Sequence, residues 1–202
     1  MTNSRGALSL ATAALLLIAG TSCAKDDSEP SDPRSEPTAS SSPSSTPTSP
    51  SDAATAAATE TIANYYAVRN ELRQDPTKPL SRLASVAIST ELSTQQTLFK
   101  RERKQGLHQV GETKVVEVKV ESVNLDNSDP QAGKVPTVQV DVCFDVSDVD
   151  VLDADGKSAV TPNRPDTGWI RYSVSNYEWD SDPDGAWRVA SSQDIERTPC
   201  DA

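Results

Sequence analysis

Histidine occurs once in the 202 residues and cysteine three times. The chain has no G-x-S-x-G elbow, no phosphate-binding loop and no zinc-ligand spacing. The usual sequence signatures of acyl transfer, phosphoryl transfer and zinc chemistry are therefore missing, and no cofactor or metal is expected. The lone His108 follows Gly106-Leu107 at a helix-to-strand junction, the setting of a loop or capping residue rather than a catalyst. Positive charge is also scarce. Nineteen Lys and Arg face 30 Asp and Glu, a net charge of −11, which disfavours generic nucleic-acid binding.

Long apolar runs are confined to one place. Arg5 precedes LSLATAALLLIAG, residues 8–20, which has the length of a secretory h-region and is too short to span a membrane comfortably. GTSC then leads small residues directly into Cys23, with Gly20 where leucine is usual. This arrangement resembles the lipobox of bacterial lipoproteins, which implies residues 1–22 as a signal peptide and Cys23 as the lipidated first residue of the mature chain. The expected location is the extracytoplasmic face of the cell membrane, held there by the lipid anchor.

Residues 24–52 contain no residue able to found a core. Nineteen of the 29 are Ser, Thr or Pro, and none is aromatic or leucine. Residues 23–52 therefore read as a lipidated cysteine with a disordered tether, reaching roughly 30 Å as a coil and approaching about 90 Å if extended. Cysteine arithmetic agrees. In an oxidising compartment Cys143 and Cys200 would normally pair, leaving Cys23 as the odd thiol for lipid.

Residues 53–202 have the size of one domain, with a helical half followed by a strand half. Ala58, Ile62, Tyr65, Tyr66 and Leu72 mark one amphipathic helix, Leu80 to Ala87 a short second, and Leu92 to Arg103 a third capped by Gly106. Its last turns carry Lys100, Arg101, Arg103 and Lys104, which complement the helix dipole.

In the strand half the alternation changes parity inside each run. Val116, Val118 and Val120 give way to Val123 and Leu125; Val138 to Val146 give way to Val149 and Val151; Ile170, Tyr172 and Val174 give way to Tyr177 and Trp179. A β-bulge in each would produce this and curve the sheet. With Trp187 and Val189 as a last strand, the fold class is α+β: helices on a curved four-stranded antiparallel sheet, cone-like. Asp155-Gly156 and Asp184-Gly185 read as turns at which glycine accepts a positive φ.

WDSDPDGAW, residues 179–187, imitates the opening of an EF-hand through Asp180, Asp182, Asp184 and Gly185. The twelfth position, however, is Ser191, not a bidentate acid, and Arg188 holds the ninth. The stretch is a turn between strands. Asp148, Asp150, Asp153 and Asp155 have the same problem of spacing.

Three helices followed by a curved sheet resemble the cone-shaped domains related to nuclear transport factor 2, ketosteroid isomerases and polyketide cyclases. RERKQG, CFDVSDVDVLDADGKSAV and GAWRVASSQDIERTPC, together with the lipobox and tether, are similar to a group of secreted actinobacterial lipoproteins of unknown function. The resemblance implies a Cys143–Cys200 disulfide tying the C-terminus to the sheet. It also implies a non-catalytic binding or scaffold domain in the cell envelope, its partner an envelope protein or wall component, with an accessory role in a secretion or conjugation assembly as the specific version. The alternative is a small apolar ligand-binding protein or an enzyme of the isomerase and cyclase type. Tyr65 and Tyr66 would then line the cone as hydrogen-bond donors, and Asp141 or Asp145 would be the base. Parity opposes the base, since both aspartates alternate with the Val138-to-Val146 face.

Overall fold

A computed structural model describes residues 49–200. The expected signal segment, Cys23 and the expected tether as far as residue 48 lie outside the described residues. Among the described residues, no helix is long and apolar enough to cross a membrane.

The first helix, α1 (Pro50–Gln74), begins three residues ahead of the expected domain start at Ala53. Its cap explains why. The Ser49 hydroxyl accepts the Asp52 N–H at 3.1 Å, Pro50 brings a φ already suited to the first turn, and Asp52 complements the dipole. Ala54, Ala58, Ile62, Tyr65, Tyr66 and Leu72 form its buried stripe. A short 3-10 helix, Leu80–Ser85, and α2 (Ser89–Lys104) complete the helical layer. At the end of α2, Arg103 donates to the Leu72 carbonyl at 3.2 Å, so the basic cluster there is partly a tie between helices.

The sheet is the expected antiparallel meander, β2 (Lys114–Asn124), β3 (Thr137–Asp145), β5 (Thr167–Asn176) and β6 (Trp187–Ile195), paired in that order. Val138, Val140, Val142, Tyr172, Val174 and Val189 point into the helices and are at most 1% exposed. Two short strands, β1 (His108–Val110) and β4 (Asp150–Leu152), make a separate ribbon, with His108 paired to Leu152 rather than standing in a loop.

The curvature arises from bulges, but not in all the expected strands. The bulge between Val120 and Ser122 accounts for the parity change to Val123. A second one, between Val115 and Glu117, puts Val115 inside and leaves Val116 38% exposed, which corrects the grouping of Val116 with Val118 and Val120. The β3–β5 pairing has no register shift. There the parity changes are strand ends: the ladder stops at Asp145, and Val149 and Val151 belong to the neighbouring loop and β4. The third bulge lies in β6, where Ala190 is the extra residue between the partners of Ser173 and Val174. An inner strand is hydrogen-bonded on both sides, so an extra residue would disrupt two ladders; in an outer strand it disrupts one.

The β6 edge is covered by the segment after the 3-10 helix. Ile88 donates to the Val189 carbonyl at 2.9 Å, and Val189 donates to Val86 at 3.0 Å. On the opposite face of the sheet, the C-terminal tail crosses β3 and β5. Cys143 and Cys200 are joined in a disulfide with Cα atoms 6.4 Å apart, and the Trp169 indole donates to the Thr198 carbonyl at 2.9 Å.

Candidate ligand cleft

The concave face closes on a cluster of three tyrosines. Tyr65 and Tyr66 from α1 meet Tyr172 from β5 edge to face, with ring centroids 5.6 to 6.2 Å apart. Burial pushes all three phenols above their ordinary range, so each stays protonated. The Tyr65 hydroxyl is used internally, donating to Glu91 of α2. Gln95 donates to the same carboxylate oxygen at 2.8 Å, and Ser192 of β6 to the other at 2.6 Å. Glu91 is thereby only 2% exposed and held by three donors. It was not foreseen as a site residue. Acids in a first helical turn are ordinary dipole partners, and two of its three partners lie 26 and 101 residues away.

Tyr66 and Tyr172 share one hydrogen bond at 3.0 Å. Whichever hydroxyl donates, the other keeps a proton not used in that bond. Of the two expected cone-lining residues, Tyr66 borders a cavity and Tyr65 does not. This cavity, about 130 Å³, lies between α1 and the inner strands, with Phe144, Val146 and Ile170 as its apolar wall. Arg73, Thr113, Phe144 and Val146 also border an outer chamber of about 400 Å³, which continues past Val149 and Val151 to Arg164. The two form one cleft.

Two close approaches shape it. Gly168 lies opposite Phe144, and a Cβ there would come within 2.8 Å of the ring, so the missing side chain lets the aromatic wall sit where it does. Gly111, at φ +77°, packs so tightly on the loop after β3 that a Cβ would lie 1.9 Å from the Asp148 carbonyl oxygen. α1 fixes the same corner through Asn70, which donates to Thr113 O at 2.9 Å and accepts from Thr113 N and Gln109.

The polar lining is cationic. Arg73 is neutralised by a bidentate pair with Glu102, at 2.6 and 3.2 Å. Arg164 donates to the Val146 and Val149 carbonyls at 2.6 and 2.9 Å, yet its Nε is buried with no partner. Arg69 stacks over the Tyr65 and Tyr66 rings at 5.1 and 5.6 Å. Its Nε is likewise buried and unpartnered, and among the described residues it forms no ion pair. No Asp or Glu lines either chamber. The signal for Arg69 was present in the sequence, since a charged residue occurs at helical spacing on the apolar stripe of Ile62, Tyr65, Tyr66 and Leu72.

The aspartates considered as a base lie elsewhere. Asp141, fully buried, faces the tail side of the sheet, where Arg171 grips it at 2.6 and 2.8 Å and Arg197 adds a third contact. The hydrogen bonds from Arg171 hold its carboxyl below the ordinary range. Asp145 caps the turn after β3 by accepting the Ser147 N–H at 2.7 Å, which lowers its pKa as well.

The stretch after β5 is a turn. Asp182 accepts the Gly185 N–H at 2.8 Å and Asp180 accepts from Asn127 at 3.0 Å, so two of the three would-be ligands are committed to the loop itself. Gly156 has the expected positive φ, whereas Gly185 does not; at Gly185 the requirement is space, because a Cβ would lie 2.8 Å from the Asp182 carboxylate. Asp148 pairs with Lys114, Asp150 accepts from Ser158 at 2.6 Å, and Asp153 accepts from two backbone N–H groups at 2.9 Å. Among the described residues no cluster has the make-up of a metal site.

No protein-family model matches the chain, and no curated protein matches it. Among solved structures it is similar to the intermembrane space region of the chloroplast protein ARC6, with 15% identity, a TM-score of 0.48, and coverage of 72% of this chain and 98% of that one.

Proposed function

We propose that the protein is a lipid-anchored, extracytoplasmic binding domain of the cell envelope that holds its ligand or partner without converting it. The observation that carries this reading is the composition of the cleft. Apolar walls and arginines surround it, while Glu91, the buried carboxylate of the helix-facing side, is held by three donors and does not border it. A general base needs a free lone pair within reach of the substrate, and the cleft lining contains no carboxylate to supply one.

The anchoring part of the proposal comes from the sequence, in the apolar run ending in GTSC and the odd cysteine. Envelope proteins or wall polymers are the partners that a tethered domain would meet, and an accessory place in a secretion or conjugation assembly is the specific version. The test is mass spectrometry of the mature N-terminus. A diacylglyceryl-modified Cys23 is expected, with a Cys23→Ser chain released from the membrane fraction. An unmodified N-terminus at another residue would overturn the anchor.

A further inference from the structure

From the unpaired arginines we infer that the cleft takes a small amphiphilic anion, an apolar chain carrying a carboxylate or phosphate head, with Arg69 reading the head. This rests on the reading of the cleft as the binding site. The charge argument is independent of it. A guanidinium taken partly out of water needs an anion or a full set of acceptors, and a cation–π contact supplies neither. Arg69 has a buried Nε without an acceptor, and Glu91, whose charge acts on it from a distance, spends its own hydrogen bonds on Tyr65, Gln95 and Ser192. Planar N–H donors favour bidentate capture of carboxylate or phosphate oxygens. The Tyr66 hydroxyl, which borders the inner chamber and is bonded to Tyr172, adds a neutral polar group beside it.

The rest of the cleft matches the remainder of such a ligand. Phe144 and Ile170 line the inner chamber next to Arg69, and Val149 and Val151 line the outer one. An anionic head placed against Arg69 would direct its chain outward along these walls. At the far end, Arg164, bonded to carbonyls and to no carboxylate among the described residues, is a second cationic feature that favours an anion over a neutral lipid. No acid in the lining opposes either contact. The chain as a whole carries −11, so this cationic interior is a local feature and not a consequence of composition.

The test is calorimetric titration of the full mature chain with octanoate, octyl phosphate and the neutral octanol. Octanoate or octyl phosphate should bind at least about tenfold more tightly than octanol, a difference of about 1.4 kcal/mol. Which head is preferred distinguishes a carboxylate ligand from a phosphate one. Arg69→Met should abolish that preference, bringing the anions down to the level of octanol, and Arg69→Lys should retain part of it. Tyr66→Phe, which removes one oxygen and keeps the packing, is the variant that decides the matter if Arg69→Met fails to fold; it should weaken the anions more than octanol. Equal binding of anion and alcohol, unaffected by these substitutions, would overturn the anion inference and leave the cleft as an apolar binding site. Absence of binding by all three probes at millimolar concentration would overturn both.

Discussion

Asp141→Asn is expected to destabilise the domain by about 3 kcal/mol, the low end of what breaking a buried ion pair costs. The low end applies because the two arginines it would orphan keep 35% and 29% of their side chains exposed, and because Glu121 remains within 2.8 Å of Arg197. The loss should also depend on pH in a defined direction. Arg171 depresses the folded pKa of Asp141, so its stabilisation is complete above the unfolded carboxyl value of about 3.9 and disappears as the pH falls through the lower folded value. Denaturant titrations of wild type and Asp141→Asn should therefore differ most near neutrality and converge in acid below about pH 4. A gap that stays constant down to pH 2 would show that Asp141 stabilises the fold by packing rather than by charge.

Cys200→Ser is expected to cost about 4 kcal/mol by the chain-entropy argument for a closed loop with a sequence separation of 57. The tail has other attachments. Arg197 bonds Glu121 and Asp141 and stacks on Trp169 at 5.1 Å, while Thr198 accepts the Trp169 indole proton at 2.9 Å. The helix-facing core contains neither cysteine, so the variant should keep its helix and strand content and lose melting temperature. Two titratable thiols in the folded, non-reduced wild type would contradict the bridge. The two substitutions meet at one place, because Arg197 links the tail to Asp141. Their effects should fall short of additivity, as is usual for residues that share a partner.

Much of this architecture was legible because its signals are local or periodic. The stripe from Ala58 to Leu72 predicted which face of α1 is buried, and the alternation of Val138, Val140 and Val142 put Cys143 and Asp141 on the opposite side, where they lie. The shift from Val120 to Val123 revealed a real bulge. What escaped was whether a parity change is a bulge or a strand end. Val149 lies beyond a turn capped by Asp145 and Tyr177 within one capped by Asn176, and short polar side chains that close turns look the same in sequence as residues within an exposed strand face. Val116 was misassigned for a related reason, since a bulge at Val116 itself leaves no trace in a run of valines.

The cleft was legible only in part. Tyr66 was found from its spacing, but its distinction from Tyr65 depends on Glu91 and Ser192, which the fold brings in from α2 and β6. Arg164 is placed by carbonyls of the loop after β3, a contact between irregular segments that no periodicity encodes. A conspicuous acidic motif around Asp182 attracted attention in the sequence, yet its carboxylates close their own turn.

The most direct measurement of the central claim, that this domain binds through its cleft, is an NMR titration of the protein with octanoate. The account predicts that shifts concentrate on the backbone amides of Tyr66, Arg69, Thr113, Phe144, Val146 and Ile170, which line the inner chamber. Shifts centred instead on the tail side of the sheet, around Asp141, Trp169 and Arg197, or no shifts at all, would contradict it.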